Sequence, residues 1–259
     1  MSFEYIEMKR SGRKGIIILN RPDKRNALNA EVVSELISAF TEMEESGEVK
    51  VIILKAKGSV FSAGADLSYL QQLQKNTYEE NLEDSHHLKT LYLIIYNCKK
   101  PVIAQVHGHA IAGGCGLATV CDFVFASNTA NFGYTEVRIG FLPALVMVFL
   151  IRKIGEGRAR ELLLGGNLIE AVTAQQYGLI NYVTPPDDLE SAVLAYADEL
   201  LVKNSATSMD MTKQLMNQVM TMPLNDALDL AAEMNAKARS TDDCKKGLEA
   251  FLNKESIMW

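Results

Sequence analysis

His107–Glu136 reads HGHAIAGGCGLATVCDFVFASNTANFGYTE and compresses a turn, a helix start, a strand and a closing carboxylate into a single stretch. Adjacent glycines at 113 and 114 let a backbone approach a ligand, because no Cβ stands in the way. The apolar run Leu117–Val120 after them predicts a buried helix whose first amides lack partners inside the helix. Free amides at such a start suit an anionic oxygen. The run Asp122–Ala126 (DFVFA) then predicts a strand, and Glu136 arrives beyond it. An oxyanion turn and a candidate acid/base therefore share one segment.

The pattern extends in both directions. Gly15–Asn20 (GIIILN) and Val49–Ala56 (VKVIILKA) read as buried strands. Between them Asn29 is placed to cap a helix carrying Val32, Val33, Leu36, Ile37, Phe40 and Met43 at helical spacing. A long helix is predicted from Thr77 to Cys98, a strand over Pro101–Ala110, and a helix from Pro143 that closes at Gly155. Shorter helices follow over Arg158–Leu164 and Ala171–Tyr177. Strands alternating with helices give an α/β core. After Pro185-Pro186 the strand signal disappears, and Leu189–Val202, Ala206–Met220, Pro223–Ala238 and Asp242–Asn253 read as helices. The expected division is residues 1–185 as the α/β core and 186–259 as a helical region.

Composition excludes several classes. The chain has 259 residues, 48 % of them hydrophobic and 22 % charged, which are globular values. A net charge of −6 argues against a phosphate-backbone ligand, so no nucleic-acid partner is expected. The longest apolar run, Ala144–Ile151, falls far short of the roughly 20 residues a bilayer span needs, so no membrane partner is expected. The opening MSFEYIEMKRSGRK has no apolar signal core, and Cys98, Cys115, Cys121 and Cys244 form no Cys-x-x-Cys pair. These features place the expected setting in the cytoplasm. The histidines fall in two close pairs, His86/His87 and His107/His109, and no metal site is expected. There is no G-x-S-x-G elbow, phosphate-loop lysine or G-x-G-x-x-G cradle. What remains is acid/base chemistry beside an oxyanion hole.

A second glycine turn, Phe61–Leu67 (FSAGADL), supplies a candidate partner for Ala112–Gly116. With Arg21-Pro22, Asn26-Ala27-Leu28, Pro101–Gly114 and Phe132-Gly133 through Glu136, Gly140 and Pro143, these motifs resemble the enoyl-CoA hydratase/isomerase (crotonase) family. The similarity continues through Gly178-Leu179-Ile180 to Ser240–Phe251 and covers essentially the whole chain. The resemblance implies a spiral of ββα units with a helical C-terminal trimerisation region, a homotrimer or dimer of trimers, and an acyl-CoA thioester substrate. No permanently bound cofactor is implied; coenzyme A comes as part of the substrate. The amides of Ala65 and Gly113 are implied as the oxyanion pair and Glu136 as the acid/base. The implied CoA-binding residues are Arg25, Ala27, Leu28, Ala63, Asp66 and Leu67, with Phe251 and Lys254 covering CoA on a neighbouring subunit.

The sequence departs from the family pattern at Gly116. Hydratases of the family carry there the first of two glutamates, of which Glu136 matches the second. Branches that tolerate the change are the enoyl-CoA isomerases, which shuttle a proton with one glutamate, and members similar to methylglutaconyl-CoA hydratases. The run Thr135–Leu150 is closer to the latter, so hydration is expected, with isomerisation and a catalytically weak acyl-CoA binder as alternatives. Tyr134, His86, His87 and Asp84 are the candidates to replace the missing carboxylate.

Overall fold

The structure, a computed structural model, describes residues 3–259. In chain order the elements are β1 (Ile6–Ser11), β2 (Lys14–Leu19), α1 (Ala30–Glu45), β3 (Val51–Ala56), α2 (Leu67–Leu73), α3 (Tyr78–Asn97), β4 (Val102–Val106) and β5 (Ala110–Ile111). There follow α4 (Gly113–Thr119), β6 (Phe123–Ser127), β7 (Asn131–Gly133), α5 (Ala144–Gly165), β8 (Ile169–Glu170), α6 (Ala171–Gln176) and β9 (Tyr182–Thr184). Four helices end the chain: α7 (Leu189–Lys203), α8 (Ala206–Val219), α9 (Leu224–Ser240) and α10 (Asp242–Asn253).

The larger sheet has the order β1-β2-β3-β4-β6-β9, and only β1 and β2 run antiparallel. Its central strands are continuous apolar runs because both faces are covered. Along β3 the side chains alternate between two clusters. Ile52 and Leu54 enter the main core with α1, α3 and α4, while Val51 and Ile53 meet Leu189, Val193, Ala197 and Leu200 of α7. A smaller sheet, β5-β7-β8, lies beside the turn before α4. Leu28 and Ala65, and Ser62 and Ala110, are joined by isolated parallel bridges.

Local chemistry accounts for the helix starts. The Val32 N–H donates to Asn29 Oδ1 at 3.0 Å, and Thr77 and Glu80 cap α3 reciprocally. Gly155 breaks α5 with φ 76° and ψ 164°, where the sequence predicted a stop, and the helix then resumes. The expected strand over Pro101–Ala110 is two strands, β4 and β5, with His107–His109 between them. The expected boundary at residue 185 falls ahead of α7, which covers one face of the sheet and is part of its core. Helix α8 also joins this packing, since Met209 lies against the α7 cluster and Lys213 reaches Asp122 Oδ2 at 2.7 Å. Among the described residues no helix is long and apolar enough to cross a membrane.

Candidate active site

Two loops meet at the glycine turns. At Gly64 φ is +89°, and an added Cβ would lie 2.8 Å from Ala112 Cβ and 3.4 Å from Gly113 N. At Gly114 an added Cβ would lie 2.6 Å from Ser62 Oγ. Side chains at either position would push the loops apart, so glycine here is a condition of close approach. Ile111 N–H donates to Ser62 O at 3.0 Å and Ser62 Oγ–H to Asn26 O at 2.8 Å, which ties a third loop to the pair. Asn26, almost fully buried, in turn donates to Lys57 O and Val60 O at 2.7 and 3.0 Å.

This lacing leaves two amides uncommitted. Leu28 N–H donates to Gly64 O at 2.7 Å and Asp66 N–H to Leu28 O at 2.9 Å. Those bonds flank Ala65, whose own N–H points away from Leu28 and has no protein acceptor among the described residues. Gly113 begins α4, and its N–H is one of the orphan donors of a helix start. The preceding Ala112 has φ 51° and ψ −125°, a conformation an L-residue adopts at a cost of about 1–3 kcal/mol. Such strain persists where surrounding bonds over-determine it, and here Ala112 N–H is held by Gly133 O at 2.8 Å. At the other end of α4, the buried Lys153 ammonium donates to Thr119 O and Cys121 O, both at 2.9 Å. The amide of Gly113 is thus held from both ends of its helix.

Both amides border a cleft of about 350 Å³. Glu136 is in its wall, at the first position of a 3-10 turn running to Ile139. Its Oε2 is buried and has no hydrogen-bond partner among the described residues. Burial raises the carboxyl above its ordinary pKa, opposed by its own backbone N–H. A carboxylate whose pKa moves toward neutrality is suited to give and take protons. Leu28, Ala63 and Leu67 also line this cleft.

The remaining sequence candidates are placed as follows. Arg25 adopts a left-handed turn and its carbonyl accepts from Ala63 N–H at 3.0 Å, so it acts on the loop through its backbone. Ala27 is buried beneath that turn. The side chain of Asp66 is committed within the protein: it caps α2 through Ser68 and Tyr69 N–H and takes Arg21 Nη1 at 2.6 Å. Burial opposes its ionisation, but bonds from Ser68 and Arg21 outweigh it and bring the pKa down to about 2. Phe251 and Lys254 line no part of the cleft in one chain, and Phe251 is 79 % exposed.

Gly116 is buried and outside the cleft wall. An added Cβ would enter the van der Waals envelope of Val146 Cγ1 and lie 3.0 Å from Tyr92 Oη. The space a side chain at 116 would use is filled by α3 and α5. Sequence reasoning missed Tyr92, which lies within the helix predicted from Thr77 to Cys98. Its ring is fully buried and its hydroxyl donates to Gly113 O at 3.0 Å, gripping the first turn of α4. Of the replacements expected for the missing carboxylate, Asp84 and His87 reach the cleft wall. His86 lines an adjoining polar groove, and Tyr134 is buried against Thr119 Oγ1 at 2.7 Å.

One prediction arises from Asp66. A depressed carboxylate pKa contributes stability that is present above the unfolded value near 3.8 and lost as pH falls toward 2. Asp66→Asn is expected to cost about 2 kcal/mol at neutral pH and to flatten that acid loss, measured by denaturant unfolding between neutral and acid pH.

Comparison with known proteins completes the description. The model of the enoyl-CoA hydratase/isomerase family matches residues 13–259. The chain belongs to that family. A relative from Thermus thermophilus is 42 % identical over 243 residues, 94 % of this chain and 96 % of its own length. The crotonyl-CoA hydratase of Syntrophomonas wolfei is 32 % identical, covering 98 % of this chain and 97 % of that one. An enoyl-CoA hydratase structure from Shewanella pealeana superposes with a TM-score of 0.94 at 31 % identity, over 99 % of this chain and 96 % of that chain. The sheet order and helical C-terminus are therefore those of a crotonase-family enzyme.

Proposed function

We propose that this crotonase-family enzyme adds water to, or removes it from, the double bond of a short or branched α,β-unsaturated acyl-CoA. The amides of Ala65 and Gly113 receive the thioester oxygen, and Glu136 serves as the acid/base. The observation that carries this reading is the buried, unpartnered Glu136 Oε2 in the same wall as the two free amides. When a nucleophile or base acts on such a thioester, negative charge develops on the carbonyl oxygen. Preorganised N–H donors stabilise that charge, each contributing on the order of 10² to 10³ in rate. The hydratase name carried by the Syntrophomonas relative supports hydration over other outcomes of the same enolate chemistry.

In this reading coenzyme A enters only as part of the substrate, along Arg25–Leu28 and Ala63–Leu67. Phe251 and Lys254 cover it from a second copy in a homotrimer or dimer of trimers in the cytoplasm. The residues before 186 form the catalytic part, with α8 to α10 supplying subunit contact. Exposed Leu224, Leu228, Leu248 and Leu252 on those helices fit such a contact.

A second reading, Δ3-Δ2 enoyl-CoA isomerisation with Glu136 as the single proton shuttle, is favoured by the filled space at Gly116. One preparation assayed two ways separates the readings. With crotonyl-CoA the conjugated thioester absorbance is expected to fall as water adds. A preparation that leaves crotonyl-CoA unchanged but creates that absorbance from a 3-enoyl-CoA is an isomerase. Binding without either change would make it a weak acyl-CoA binder.

A further inference from the structure

The acyl group itself is narrowed by charge. Two carboxylates stand in the cleft wall, Glu136 and, on α3, Asp84. No lysine or arginine does so among the described residues. Arg21 lies in the adjoining groove, tied to Asp66 Oδ2 at 2.6 Å and Ala27 O at 3.2 Å. His87 is the one wall side chain that can become a cation, and its Nε2 is 3.2 Å from Ser34 Oγ. Asp84 is fixed in place, because the Tyr69 hydroxyl donates to its Oδ1. Burial first, and then the hydrogen bond to Asp84 and its charge, push the Tyr69 phenol up, so it stays protonated as the donor. Most of the remaining wall is hydrocarbon, including Leu70, Leu73, Leu88, Leu142 and Val146.

We infer that the cleft selects acyl groups ending in hydrocarbon, and that Asp84, held by Tyr69, is the residue that rejects acyl chains bearing a distal carboxylate. The inference rests on the acyl-CoA reading above. A carboxylate entering this cleft loses water to an apolar wall and gains no cation in return. It also meets fixed charges of its own sign, whose repulsion is strong where water is scarce. Rejection by an unpaired like charge is a common route to specificity. Methylglutaconyl-CoA, the branched example expected from the sequence, carries such a carboxylate and falls outside the selected class.

Saturated esters, which cannot be hydrated, test this by calorimetry at about pH 8, where an ordinary imidazole is neutral. Hexanoyl-CoA is compared with adipyl-CoA and butyryl-CoA with glutaryl-CoA. The uncharged member of each pair is expected to bind at least about tenfold more tightly to the wild type. In Asp84→Asn the ratio is expected to shrink by at least about threefold through tighter binding of the dicarboxylic ester. Equal affinities in the wild type, or an unchanged ratio in Asp84→Asn, would overturn the inference while leaving the acyl-CoA reading in place. Failure of all four esters to bind would remove both.

Discussion

Glu136→Gln is expected to lower kcat by about 10²- to 10⁴-fold, the range for removal of a positioned acid/base. The substitution keeps the shape of the side chain and deletes only its capacity to exchange a proton. Two accompanying signatures separate this from damage to the fold. The first is the acid limb of kcat/KM. Burial raises the carboxyl of Glu136, so the limb of the wild type is expected to sit above the ordinary value of 4.5 and to be missing from the variant's residual activity. The second is stability. A carboxylate with a raised folded pKa destabilises the native state once ionised, so wild-type stability rises as pH falls through that pKa. Glu136→Gln lacks this rise and is expected to be at least as stable as the wild type above it. Retention of kcat within a few fold of the parent would remove Glu136 from the acid/base role.

Gly113→Val is expected to cost on the order of 10² to 10³ in turnover, the loss associated with one oxyanion donor. Nothing at the backbone forbids a side chain here: an added Cβ would lie 3.3 Å from Tyr92 Oη and 3.5 Å from Leu28 Cδ1. The chain can fold around it with a shift of a few tenths of an ångström. The γ carbons then project among Leu28 and Tyr92, cleft residues beside the amide, and block the thioester oxygen. Turnover is compared with the far-UV spectrum and melting temperature of the same preparation. A folded variant with wild-type-like turnover would exclude the Gly113 amide from the oxyanion pair.

Periodicity made much of this architecture readable before any coordinates. The buried strands β2 and β3 and the helices α1 and α3 appear at the positions their apolar spacing predicts, because core burial and local pattern agree. The edge strand β1 is hard to read from sequence: after Ile6 its residues are half-buried or exposed, and the alternation of Ile6 and Met8 with Glu7 and Lys9 breaks off at Arg10-Ser11. Strands of two or three residues, such as β5, β7 and β8, are shorter than any period. Helix α7 was grouped with the helices that follow because composition reports helix content and says nothing of which sheet face a helix covers.

At the site, motifs and resemblance pointed to Ala65, Gly113 and Glu136. Tyr92 and Val146 stayed hidden because volume is shared between elements. Their helical spacing marks them as core, and only the fold reveals that they occupy the room of a residue on α4.

That shared volume also constrains how this chain can change. Forcing a long side chain into a packed interior typically costs about 1–3 kcal/mol. A glutamate installed at 116 alone would meet Val146 and the Tyr92 hydroxyl, the same hydroxyl that grips Gly113 O. Adding to Glu136 a second carboxylate, placed on α4, therefore requires coordinated replacements on three helices, and the three positions are coupled rather than additive. Along any path of single substitutions, the one-carboxylate arrangement is a ratchet: the packing that accommodates Gly116 penalises each first step away from it.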